Sequence, residues 1–94
     1  EIAQSIIDLA ISLRVNTNRI IISLIAPRGD SLNNKAREVN DRLKHMCVNR
    51  NISYIDHANS IDIENHFNDS NLHLNKNGTV ALAKNFVNFL TNEY

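Results

Sequence analysis

The sequence predicts an α/β fold with a parallel sheet, in the order helix, strand, helix, strand, helix. Residues 20–26, Ile20-Ile21-Ile22-Ser23-Leu24-Ile25-Ala26, form a near-continuous apolar run rich in β-branched side chains, as in a strand buried on both faces. A helical-period stripe precedes that run and another follows it, and a short alternating segment, Ile52 to Asp56, reads as a second strand. A strand-helix-strand unit of this kind is expected to be parallel with a right-handed crossover.

Taken in order, residues 1–14 place Ala3, Ile6, Ile7, Ala10 and Leu13 on one stripe, and Ile2, Leu9 and Ile11 widen it beyond an ordinary amphipathic face. Such a helix should be covered on more than one side. Asn16, Thr17 and Asn18 favour a turn because their side chains compete with the helical backbone. The strand then runs to Pro27. Residues 27–34 read as a loop in which Gly29 is free to take positive φ and Asp30, Ser31 or Asn33 can cap the next helix.

Residues 33–50 set Ala36, Val39, Leu43, Met46 and Cys47 at helical spacing, with Lys35, Arg37, Glu38, Asp41, Arg42 and Lys44 on a solvated face. Asn40 falls inside the apolar stripe. Either it bonds a neighbouring backbone segment or the stripe breaks at its edge. Beyond the second strand, residues 59–68 are polar with scattered Ile61, Ile63 and Phe67, consistent with a short helical turn or a packed loop. After Gly78, Val80, Ala83, Phe86, Val87 and Leu90 form the stripe of a closing helix, with Leu82 and Phe89 beside it.

Ten basic and ten acidic residues cancel, so no net field draws the 94-residue chain toward nucleic acid or an anionic membrane. Cys47 has no second cysteine to pair with and reads as a buried thiol; its neighbours make no zinc-ligand spacing. No cofactor or metal is expected. Glu1 is not an initiating residue. No secretory signal opens the sequence, and no run approaches the roughly 18 apolar residues of a membrane span, so a cytoplasmic location is expected.

The candidate chemistry lies at Asp69-Ser70-Asn71-Leu72-His73-Leu74-Asn75-Lys76-Asn77-Gly78, a histidine between leucines just before the last helix. An imidazole that titrates near neutral pH suits a general base, and equally a loop hydrogen bond. Arg28 and His57, each just beyond the end of a strand, either approach the same cleft or satisfy loop backbone groups.

Leu72-His73-Leu74-Asn75 with Gly78 and the closing helix resembles the C-terminal block of the SGNH (GDSL-type) esterase and lipase superfamily. The strand ending Ala26-Pro27-Arg28-Gly29-Asp30, the helix bearing Glu38-Val39-Asn40-Asp41-Arg42-Leu43 and the strand Ile52-Ser53-Tyr54-Ile55-Asp56 agree with it in order. Together they resemble the second half of SGNH-type domains, notably those of invertebrate proteins linked to transposable elements. That resemblance implies that residues 1–94 are a partial domain, part of a three-layer α/β/α flavodoxin-like fold, acting on a small ester. It makes His73 the catalytic base, while the nucleophilic serine and the oxyanion-hole glycine and asparagine belong to the missing N-terminal half.

In that superfamily an orienting aspartate stands three residues before the histidine. Here that position is Ser70, and Asp69 lies one residue further away, either as the orienter on a bulged loop or as a surface carboxylate. Gly29-Asp30-Ser31-Leu32 spells the family signature literally, but it follows a later strand than the nucleophile block does, so Ser31 is read as a loop or cap residue. The Arg28-Gly29-Asp30 adhesion triplet is discounted as a chance match. Two functional classes remain: a hydrolase fragment whose parent cleaves esters, and a catalytically degenerate scaffold that mediates protein association. Two strands make a poor sheet, so the missing half or self-association is expected to complete it.

Overall fold

The computed structural model describes residues 1–15, 19–68 and 73–92. The turn expected at Asn16-Thr17-Asn18 lies outside them. The elements are α1 (Ile2–Arg14), β1 (Ile21–Ser23), α2 (Asn33–Arg50), β2 (Ser53–Ile55), α3 (Ile63–His66) and α4 (Lys76–Asn92). The expected order of helices and strands is therefore present, with α3 as the short helical turn. β1 and β2 pair in parallel, with Ile21 opposite Ser53, Ile22 opposite Tyr54 and Ser23 opposite Ile55.

The apolar run is longer than the strand it makes. The Leu24 amide still donates to the Ile55 carbonyl at 2.9 Å. At Ile25 the Asn40 side chain takes over: Oδ1 accepts from the Ile25 N–H and Nδ2 donates to the Ile25 carbonyl, both at 2.9 Å. Asn40 thus bonds a neighbouring strand backbone, the first of the two alternatives open to it. Its amide substitutes for a strand partner, which satisfies the backbone while turning the chain out of the sheet.

One face of the pair builds the core. Ala3, Ile7 and Ala10 of α1, Ile22 and Leu24, Leu43 and Cys47 of α2, and Ile52 form a single buried cluster, with Tyr54, Val39 and Met46 partly buried against it. The end of α2 is fixed to that of α1. Asn51 takes a left-handed conformation (φ 56°, ψ 45°), its amide and that of Ile52 bond back to Val48 and Cys47, and Arg14 donates to the carbonyls of Arg50 and Asn51. An asparagine tolerates this left-handed turn, and the returning amides satisfy carbonyls that the helix leaves unpaired. Of the expected α1 stripe, Leu13 is exposed, as are Ile2 and Leu9.

The first turn of α2 differs from expectation. Its N-cap position is Leu32, with no side-chain cap, and no described glycine has positive φ. Asp30 and Asn33 serve the loop instead: Asp30 Oδ1 accepts from the Leu32 amide, and Asn33 Oδ1 from the Arg28 amide.

α4 starts two residues before Gly78, and Asn75 begins it. Asn75 Oδ1 accepts from the Gly78 amide at 2.8 Å while its Nδ2 donates to the carbonyls of Asn65 and Phe67. The buried Gly78 lies against α3, where a Cβ would fall 2.1 Å from the His66 carbonyl oxygen. This contact and the α4 hydrogen bond to His57 set which side of α4 meets the sheet. Leu82 and Phe89 are half-buried, whereas Val80, Val87 and Leu90 are exposed, so the packing side is rotated from the expected stripe.

Candidate active site

Polar side chains collect beyond the carboxyl ends of β1 and β2, the end of a parallel sheet where ligands bind in open α/β folds. His73 stands on the loop entering α4. Its carbonyl accepts from the Asn68 amide at 2.9 Å, and the adjacent Leu74 forms an antiparallel bridge with Phe67. The residue is anchored by its backbone and exposed to solvent. Asp69, its expected partner, lies outside the described residues, as do Ser70, Asn71 and Leu72.

The groups just beyond the strand ends have partners of their own. Arg28 forms a paired hydrogen bond and ion bridge with Asp30, through Nε to Oδ1 at 2.8 Å and through Nη2 to Oδ2. The side-chain hydrogen bonds from Arg28 hold the Asp30 carboxyl below the usual carboxylate range. The adhesion triplet is thereby closed on itself. Ser31 is exposed on the turn before α2. Asp56 bonds Lys44 Nζ at 2.8 Å and the Ala58 amide at 3.0 Å. Burial raises its carboxyl, but those partners outweigh the effect and leave it lowered.

His57 is the buried polar residue of the described chain, 1% exposed. Its Nε2 lies 2.8 Å from Ser23 Oγ, its Nδ1 lies 2.9 Å from Asn85 Nδ2, and its ring tilts against Phe86 with centroids 5.4 Å apart. With Asn85 Nδ2 donating to Nδ1, the ring proton sits on Nε2 and is donated to Ser23 Oγ, and the serine hydroxyl faces the Leu24 carbonyl at 3.3 Å. In that tautomer Nε2 is a donor and has no lone pair to take the serine proton. Desolvation lowers the His57 pKa, partly opposed by the nearby Asp56 carboxylate.

Sequence reading placed His57 at a strand end but missed Ser23 and Asn85. A signal existed. Ser23 interrupts an otherwise apolar strand, and Ser23, Ile55 and His57 share one parity across the paired register, which points their side chains to the same face. Asn85 among apolar helix positions was the matching partner.

A cleft of about 280 Å³ opens beyond β1, lined largely by apolar groups of Ile25, Ala26, Pro27, Ala36, Ala58, Ile61 and Ile63, with Asn33, Arg37 and Asn40 as polar members. Among the described residues, no cluster of His, Cys, Asp or Glu suits a metal ion, and no helix is long and apolar enough to cross a membrane.

No protein family and no curated protein matches the sequence. In three dimensions the chain is similar to the esterase domain of the ZfL2-1 ORF1 protein from the zebrafish ZfL2-1 retrotransposon. The TM-score is 0.77 at 20% sequence identity, over 95% of this chain and 58% of that domain. The chain therefore has the α/β fold of a retrotransposon esterase domain, spanning a little over half of that domain's length.

Proposed function

We propose that this chain is the second half of an SGNH-type hydrolase domain and supplies the general-base histidine, His73, for cleavage of a small ester. The observation that carries this reading is the fold shared with an esterase domain, which covers nearly all of this chain but only part of that domain. The complete domain is then three layers, α/β/α, in which further parallel strands extend the pair seen here and an N-terminal half brings the nucleophile and oxyanion donors. His73 takes the serine proton on attack and returns it to the leaving alcohol. Asp69 orients the imidazole from its shifted position.

The test uses the parent protein with the residues upstream of Glu1 and a short-chain activated ester. His73→Ala should lower kcat about a thousandfold while the fold persists, and Ser31→Ala should leave it unchanged. Asp69→Asn should cut turnover if Asp69 fixes the tautomer. An unaltered rate in His73→Ala would reject the reading. The alternative, a degenerate scaffold for protein association, draws on Ser70 standing where the orienting aspartate is usual.

A further inference from the structure

We propose that Ser23, His57 and Asn85 form a protonation-sensitive tether that holds α4 on the sheet and thereby positions the His73 loop that α4 follows. His57 reaches β1 through Nε2 and α4 through Nδ1, at 2.8 and 2.9 Å. It lies midway along α4, so it complements the contact at the start of that helix, where Asn75 and Gly78 lock onto α3. Helix α4 is thus held at two points, each beside a histidine: His57 at the tether and His66 at the α3 contact, where His66 Nδ1 accepts from the Asp62 amide. Of the two, only His57 bridges β1 and α4. His73 is two residues before Asn75, so a shift of α4 is passed along a short chain segment to it.

Protonation breaks the arrangement for two reasons. Imidazolium Nδ1 is a donor and faces the Asn85 Nδ2 donor, so one bond becomes a clash of like groups. A charge would also be buried where the neighbours from β1 and α4 are the uncharged Ser23, Asn85 and Phe86. The charged groups nearby are Asp56, adjacent in sequence, and Lys44 of α2, paired at 2.8 Å, and the Asp56 carboxylate offsets only part of the cost of burying that charge. The alternative response is rotation of the Asn85 amide, which restores a hydrogen bond but leaves the charge buried.

The sign follows from linkage. Burial sets the folded His57 pKa below its ordinary 6.5, so the docked state binds the proton less well than the released state. Docking is then fully stable above about pH 6.5 and weakens as pH falls toward the folded value, with the opening equilibrium rising about tenfold per pH unit in that window. The tether stands independently of the hydrolase reading; the consequence for His73 rests on it.

The experiment is amide exchange of α4 in the 94-residue chain between pH 7.5 and 5, with His57 followed by its side-chain nitrogen resonances. Neutral His57 protonated on Nε2 at pH 7.5, and α4 protection factors falling below pH 6.5 by up to about tenfold per unit, are expected. Asn85→Asp places a carboxylate beside Nδ1, should raise the folded His57 pKa, and should shrink the acid loss of α4 protection while its onset stays near pH 6.5. His57→Gln should flatten the pH dependence of protection. Titration of His57 with α4 still protected, an amide rotation without release, or an undiminished acid loss of protection in Asn85→Asp would overturn the tether. In the parent, kcat should follow α4 protection in both proteins, and a kcat indifferent to it would overturn the positioning of His73. If the parent hydrolyses no ester, the hydrolase reading fails while α4 exchange still decides the tether.

Discussion

At the scale of single residues, Gly78 is the position where two rules oppose each other. Alanine is a better helix former than glycine by about 1 kcal/mol, and Gly78 lies in the first turn of α4, so propensity alone favours Gly78→Ala. The added Cβ would meet the His66 carbonyl oxygen at 2.1 Å, a backbone atom that no rotamer change can move. Displacing α3 or α4 to relieve that overlap costs about 3 kcal/mol, by the scale of overpacked cores. The variant should therefore lose about 2 kcal/mol of stability in urea unfolding. An equal or higher midpoint would mean that the α3 to α4 approach is not needed. Cys47 shows the opposite situation, where sequence sufficed, and Asn40 an intermediate one, where sequence left two alternatives and the fold chose one. A lone thiol on an apolar stripe is buried, and burial pushes its pKa up. An amide inside a stripe found the backbone group it needed at Ile25.

At the scale of elements, existence and order were legible and orientation was not. Periodicity located the three long helices and both strands because it reports how often apolar residues recur, and that is set locally, whereas the four-residue α3 has no periodic stripe to show. It could not choose between two apolar sides of α4, because Val80, Val87 and Leu90 compete with Leu82 and Phe89 for the same assignment. The choice is made by long-range contacts at Gly78 and Asn85, neither of which is apolar. The candidate site divided in the same way. His73 could be proposed from sequence because a short block carries it, whereas Ser23, His57 and Asn85 come from three separated stretches joined only by folding. The rotated side of α4 is testable by truncation. Leu82→Ala and Phe89→Ala, at half-buried positions, should each cost about 1 to 2 kcal/mol, below the range for full burial. Val87→Ala, at a position 58% exposed, should fall within about 0.5 kcal/mol of the parent chain. The reverse ranking in denaturant melts would put the expected stripe back against the sheet.

At the scale of the whole molecule, the chain carries more surface than its mass accounts for. Its accessible area is 6501 Å² at 10.7 kDa, where a compact monomer of that mass exposes about 5,500 Å². The radius of gyration is 14.2 Å, against about 12 Å for a compact chain of this length. The excess area, about 1,000 Å², is similar to the roughly 800 Å² that one partner contributes to a standard interface. It has apolar constituents to match: Ile2, Leu9 and Leu13 on α1 and Val80, Val87 and Leu90 on α4 are exposed. A two-stranded parallel sheet adds unpaired backbone at its edges, which invites further pairing. The 94-residue chain should therefore self-associate, with a sedimentation coefficient that rises with concentration over the micromolar range. Val87→Lys and Leu90→Lys together remove apolar contact area and add charge on the exposed side of α4 without touching the buried cluster. They should shift the distribution toward monomer while moving the unfolding midpoint by no more than about 0.5 kcal/mol. A chain that stays monomeric at every concentration, melts cooperatively and protects its strand amides would show that these surfaces need no cover.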